Sequence, residues 1–108
     1  MWLEDCIKFS IPYFLVGGGC QHTQVTVKTT TKDWGYENSW TLGSCASSGR
    51  FENHKTVSQT CCLAKGTYTL ECKDTWEDGW HGGFVEINGK KYCENFNDGH
   101  KATRSVTI

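Results

Sequence analysis

Seven cysteines in 108 residues, at positions 6, 20, 45, 61, 62, 72 and 93, constrain this chain more than any other feature. A domain this small buries a limited core and is often reinforced by cross-links. No Cys-x-x-Cys occurs, so neither a zinc knuckle nor a thioredoxin-like redox pair has support. The pattern therefore reads as a disulfide framework formed in an oxidising compartment. Cys61 and Cys62 are adjacent, and on a strand successive side chains face opposite ways, so the two must find different partners. The expected pairing joins Cys72 to Cys93 and Cys45 to Cys61 or Cys62, leaving Cys20 for the other.

The odd cysteine draws attention to residues 1–18. An apolar run from Phe9 to Val16 ends in small residues, with Val16 and Gly18 placed like the −3 and −1 positions of a signal-peptidase site. Loss of this segment would remove Cys6 and leave six cysteines. The acids Glu4 and Asp5 and the interrupting Pro12 argue instead for an N-terminal arm, and both readings stay open. Residues 19–108 read as a single domain, and no stretch is long enough to span a bilayer.

The rest of the chain alternates in the manner of β structure. Val25 and Val27 alternate within a threonine-rich segment from Gln21 to Thr31, Trp40 to Leu42 reads as a second strand, and Tyr68, Leu70 and Cys72 share a face by period two. Residues 44–59 read as a polar loop with a short strand near Phe51. Phe84 to Ile87, the Asn88-Gly89 step and Lys90 to Glu94 form the clearest hairpin, because Asn-Gly takes the positive φ angles of a type I′ turn. Ala102 to Ile108 closes the domain as a last strand. Short strands punctuated by glycine turns predict an all-β antiparallel sandwich.

Function is expected between residues 74 and 83, Asp-Thr-Trp-Glu-Asp-Gly-Trp-His-Gly-Gly. A hard cation needs about six or more oxygens, and Glu37, Asp74 and Asp78 with backbone carbonyls and water would supply them if the two regions converge. Asp33, Glu77 and Asp98 are reserves. The competing reading is metal-free, with Glu37 accepting hydrogen bonds from backbone amides of the glycine loop. His81 lies inside the same loop and, with Asp74 or Asp78, would suit zinc instead. Trp40 and Trp80 fall beside apolar strand patterns and are assigned to the core. Trp34 and Trp76 lie in polar turns and are, with His81, the candidates for contact with a ligand, since exposed indoles stack on sugar faces or anchor protein interfaces.

Three segments in order carry a resemblance: Asp33-Trp-Gly-Tyr-Glu37-Asn-Ser39-Trp40-Thr-Leu42, Cys62-Leu-Ala-Lys-Gly66-Thr-Tyr68-Thr-Leu70, and Asp74-x-x-x-Asp78-Gly79-Trp80-x-Gly82-Gly83. Together they resemble small extracellular β-sandwich modules whose architecture is similar to CUB domains. The resemblance covers residues 21–108 and departs from the pattern at Trp76, Glu77 and His81. It implies a jelly-roll or CUB-like sandwich serving as a secreted recognition module, with calcium near the Asp-Gly-Trp loop, and identifies no partner; the expectation of an extracellular glycan or protein comes from Trp34 and Trp76.

Eleven basic and twelve acidic residues leave a formal net charge of −1, without the basic footprint of a nucleic-acid binder. No Gly-x-Ser-x-Gly elbow, His-Glu-x-x-His helix or P-loop is present, so the chain is expected to act by binding rather than catalysis. The rival expectation is a free-standing cysteine-rich effector, a toxin or inhibitor, that acts on a protein target without metal.

Overall fold

A computed structural model describes residues 20–47 and 50–108, so the expectations placed on residues 1–18 and on Cys6 lie outside it. Among the described residues eight strands run in the order β1 Thr23–Thr30, β2 Asn38–Leu42, β3 Cys45–Ala46, β4 Thr56–Leu63, β5 Thr67–Asp74, β6 Phe84–Ile87, β7 Lys90–Tyr92 and β8 Lys101–Thr107. They form two four-stranded sheets, β4-β1-β6-β7 and β3-β2-β5-β8, in which every neighbouring pair is antiparallel. The all-β expectation holds.

Alternation decides which face of each strand is buried. Val25, Val27 and Thr29 point inward from β1, Trp40 and Leu42 from β2, and Leu70, Cys72 and Asp74 from β5. The apolar ones among them meet Val85, Ile87, Trp80, Phe96 and Val106 in one core between the sheets. The layers also share a hydrogen bond, because the Trp40 indole N–H of one sheet donates to Thr29 Oγ1 of the other at 2.9 Å in a fully buried position. Between β6 and β7, Asn88 at φ 53° and Gly89 at φ 79° make the expected hairpin turn.

Among the described residues the disulfides are Cys20–Cys62, Cys45–Cys61 and Cys72–Cys93. Cys61 points into the core and Cys62 out of it, which is why the adjacent pair divides between two partners. Cys45–Cys61 links β3 in one sheet to β4 in the other, and Cys72–Cys93 joins β5 to the residue after β7. Two of the three bridges therefore staple one sheet to the other.

Residues 44–59 depart most from expectation. The segment holds β3 and the start of β4, and Phe51 is not in a strand although it is buried in the core. β4 was hidden because only its last residues cover the core: Thr56, Val57 and Ser58 are all exposed, so no alternation marks the strand's beginning. Phe51 supplies an apolar plug without the strand its neighbours would need.

The bridges span 42, 16 and 21 residues. On the chain-entropy account each such loop closure contributes about 3 to 4 kcal/mol, a large share of a small domain's stability. Strong reductant should therefore abolish the cooperative thermal transition, followed by near-ultraviolet circular dichroism of the buried tryptophans. A transition that survives complete reduction would contradict this framework.

Candidate functional site

The loop between β5 and β6 is fixed at both of its ends. At its start, β5 finishes on Asp74, whose backbone N–H donates to the His100 carbonyl at 2.9 Å. The Asp74 carboxylate turns back into the loop, accepting the Trp76 N–H at Oδ1 (3.2 Å) and the Asp78 N–H at Oδ2 (2.7 Å). Aspartate suits this position because its short side chain reaches backbone donors two and four residues ahead. Towards the far end, Trp80 is fully buried; its indole donates to the Lys73 carbonyl and its backbone N–H to the Phe96 carbonyl, both at 2.8 Å. Gly79 between them has φ 81°, and a Cβ there would lie 2.6 Å from Asn97 backbone atoms. No side chain fits, so the Asp-Gly-Trp order follows from close approach to residues 96–97.

Glu37 comes from the other side. It ends a single 3-10 turn, Gly35–Glu37, immediately before β2, and its carbonyl accepts the Thr75 N–H at 3.2 Å. The two segments expected to converge do so. One ligand-capable atom from each of Glu37, Asp78 and His81 lies within 4.8 Å of the others, with Glu37 buried and the other two exposed. His81 Nε2 and Asp78 Oδ2 are 3.4 Å apart.

Of the three residues expected to bind metal, Glu37 and Asp78 are together, whereas both oxygens of Asp74 are already engaged by loop amides. Asp74 therefore shapes the loop beside the cluster. The amide-accepting role considered for Glu37 falls to Asp74 instead, and Glu37 Oε1 is buried without a hydrogen-bond partner. Such an atom carries the cost of lost water with no return unless a proton or a cation is supplied. Among the reserves, Asp33 pairs with His54 at 2.8 Å and the Glu77 carbonyl accepts the Gly99 N–H at 2.8 Å. Asp98 and Glu77 are exposed.

The charges respond to this crowding. Burial first, then a hydrogen bond with Asp74 and the negative charges of Asp78 and Asp74, push Glu37 up to about 7, partly opposed by His81. Asp74 moves the opposite way. Burial is its largest influence and raises its pKa, but hydrogen bonds from Asp78, Trp76 and Glu37 together outweigh it and hold Asp74 below the ordinary value. One carboxyl group of the pair thus prefers its proton and the other its charge.

Asn38 was not among the candidates. It is buried, and neither its Oδ1 nor its Nδ2 has a hydrogen-bond partner. Asn38 lies directly across from Asp74 in the β2–β5 register, so Glu37, Asn38 and Asp74 make a polar end to an otherwise apolar core. Sequence did hold the signal: Asn38 is in phase with Trp40 and Leu42 and therefore faces inward. Among the described residues the exposed aromatics are Trp76 at 69%, Trp34 at 49% and Tyr36 at 41%. Trp34 and Tyr36 meet edge to face with centroids 6.2 Å apart, which adds Tyr36 to the surface expected of Trp34.

Compared with protein-family models, with curated proteins and with solved structures, the chain matches none of them.

The pKa shifts give a pH dependence for the protein in chelator. Glu37 has a folded value of about 7 against 4.5 ordinarily, so its contribution is full below 4.5 and is lost as pH rises through 7. Asp74 has a lowered folded value, so its contribution is present above the ordinary 3.8 and is lost on further acidification. The thermal midpoint should fall as pH is raised from 4.5 to about 7, read by calorimetry in EDTA. A midpoint rising steadily across that interval would contradict the assignment to Glu37.

Proposed function

We propose that this chain is a secreted, non-enzymatic recognition module with a CUB-like sandwich fold, whose 74–83 loop is organised by calcium and presents aromatic side chains to an extracellular glycan or protein. The observation that carries the reading is Glu37 Oε1, a buried acceptor without a partner in a residue clustered with Asp78 and His81. A cation there would offset the burial and the repulsion from Asp78 and Asp74 that disfavour a charged Glu37.

The residues fit a divalent ion. Glu37 and Asp78 supply hard carboxylate oxygens, and loop carbonyls with water would complete a calcium shell, since calcium accepts six to eight oxygens in flexible geometry. Asp74 would hold the loop from which Asp78 projects. When bound, the ion would link the start of β2 to the β5–β6 loop and so fix the position of Trp76.

A second reading has its own observation. His81 places an imidazole nitrogen within the same 4.8 Å cluster, and nitrogen donors favour zinc over calcium. Three disulfides in so short a chain agree with an oxidising, extracellular setting under either metal. The resemblance of the ordered motifs supports the module reading, and the exposure of Trp34 and Trp76 supports their role in contact.

Calcium titrated into oxidised, chelator-stripped protein should bind saturably and raise the thermal midpoint, because a ligand that prefers the folded state stabilises it by mass action. Asp78→Ala should remove both effects. Binding of zinc alone would select the second reading, and indifference to both ions would favour the metal-free effector. For the contact surface, Trp76→Ala or Trp34→Ala should weaken ligand binding about tenfold or more, the loss expected when an interface indole is truncated, with the calcium response retained.

A further inference from the structure

Among the described residues one sheet ends in β4 and β7 and the other in β3 and β8. An unpaired edge offers its backbone N–H and C=O groups to any extended chain, and proteins usually blunt it by shortness, charge or proline. Three of these edges are blunted. β3 has two residues, and β7 has three, among them Lys90 and Lys91. β8 is longer but carries Lys101 and Arg104. Ile108 and Gly66 exchange backbone hydrogen bonds, so by alternation the even-numbered residues of β8 bond to β5 and the odd-numbered ones turn their backbone groups outward. Arg104 covers one of those outward groups, donating from Nη1 to the Thr103 carbonyl at 2.7 Å.

β4 has none of these defences. It runs for eight residues, Thr-Val-Ser-Gln-Thr-Cys-Cys-Leu, without a charge or a proline. The Thr31 N–H donates to the Lys55 carbonyl at 2.8 Å, so the odd-numbered residues here face β1 with their backbone groups, and Thr56, Ser58, Thr60 and Cys62 turn theirs outward. All four are exposed. None of the loop or side-chain hydrogen bonds among the described residues reaches those backbone groups. Val57 adds an apolar contact at the same edge. It is in phase with buried Cys61 and Leu63 yet belongs to the exposed large hydrophobic residues.

We propose that β4 is where two copies of this chain pair, antiparallel and about a two-fold axis at Gln59. The outward residues lie symmetrically about Gln59, so this axis sets Ser58 opposite the partner's Thr60 and Thr56 opposite the partner's Cys62. Every outward N–H and C=O of the four then finds a backbone mate, and hydroxyl side chains meet on the outer face, a favourable cross-strand pair. On the inner face Val57 comes opposite the partner's Cys61 and is covered. Two observations favour a second copy over a foreign strand. A neutral edge has no charge with which to select a charged peptide, and it opposes no like charges when it meets itself. Two-fold pairing also uses up the undefended edge of both copies and leaves the joined sheet ending in the short, lysine-bearing β7 on each side, so assembly closes at two. Residues 56–62 fall well short of the roughly 20–30 residues a side of a standard interface, so the dimer is weak and forms at high concentration. It needs neither metal nor glycan.

The test uses the oxidised full chain in EDTA, carrying Cys6→Ser so that no covalent link stands in for strand pairing. Sedimentation equilibrium from about 10 μM to about 1 mM, the range of weak complexes, should show a reversible monomer–dimer equilibrium. Amide exchange at Ser58, Thr60 and Cys62 should slow as the dimer forms, while exchange at Thr103 and Ser105 should not. Ser58→Pro removes an outward N–H and leaves the β1 ladder intact; it should weaken association about tenfold or more, through one lost donor in each copy. Val57→Lys, which sets a charge on the pairing line, should do the same, each variant being checked for an unchanged monomer thermal midpoint. Thr103→Pro, at an outward position of β8, should leave association as it was. A monomer at the highest concentration, edge amides already protected in the monomer, assembly that continues beyond the dimer, or a dimer indifferent to Ser58→Pro and Val57→Lys would each overturn the proposal.

Discussion

Asp74 occupies the point where a strand that fills the core becomes a loop that leaves it. Its backbone belongs to β5 and is held by His100, while its carboxylate turns forward to accept the N–H groups of Trp76 and Asp78. Hydrogen bonds to a charged acceptor are worth about 1.5 to 3 kcal/mol each, enough to choose one loop path among many. Once that path is set, Gly79 passes against residues 96–97, Trp80 enters the core, and Asp78 and His81 arrive beside Glu37. Local capping, core packing and the candidate site are consequences of one carboxylate.

That arrangement has an electrostatic cost, and the fold distributes it unevenly. Asp74 is ionised because amides solvate it in place of water, whereas Glu37 has a buried oxygen with no donor and retains its proton to higher pH. A polar cap of Glu37, Asn38 and Asp74 closes the end of a core built mainly of tryptophan, phenylalanine, leucine, isoleucine, valine and cystine. Apolar side chains would fill that end more cheaply, so the polar cap lowers stability where it stands. The inter-sheet disulfides and the Trp40–Thr29 hydrogen bond supply the rigidity against which such a cap is maintained.

Most of the sheet was legible because strand burial follows period two wherever one face meets the core. β1, β2, β5 and β6 carry that pattern, β7 was announced by the Asn88-Gly89 turn and β8 chiefly by Val106, and adjacent Cys61 and Cys62 announced their separate partners. β4 was not legible, since its first half is exposed on both faces and lies at a sheet edge. At the site, convergence of Glu37 with Asp78 could be expected from residue types, and the exposure of Trp34 and Trp76 from their polar turns. The division of labour among the acids could not. Whether Asp74 or Glu37 accepts the loop amides is set by tertiary packing, to which periodicity is blind.

The central claim is that the buried carboxyl of Glu37 exists to meet a cation. Glu37→Gln keeps nearly the same shape, removes the charge and supplies an amide in its place, so the thermal midpoint of this variant with and without calcium is the most direct measurement. The account predicts a midpoint in chelator at pH 8 equal to or above that of the unsubstituted protein, together with loss of the rise that calcium produces. A full calcium response in Glu37→Gln would contradict it.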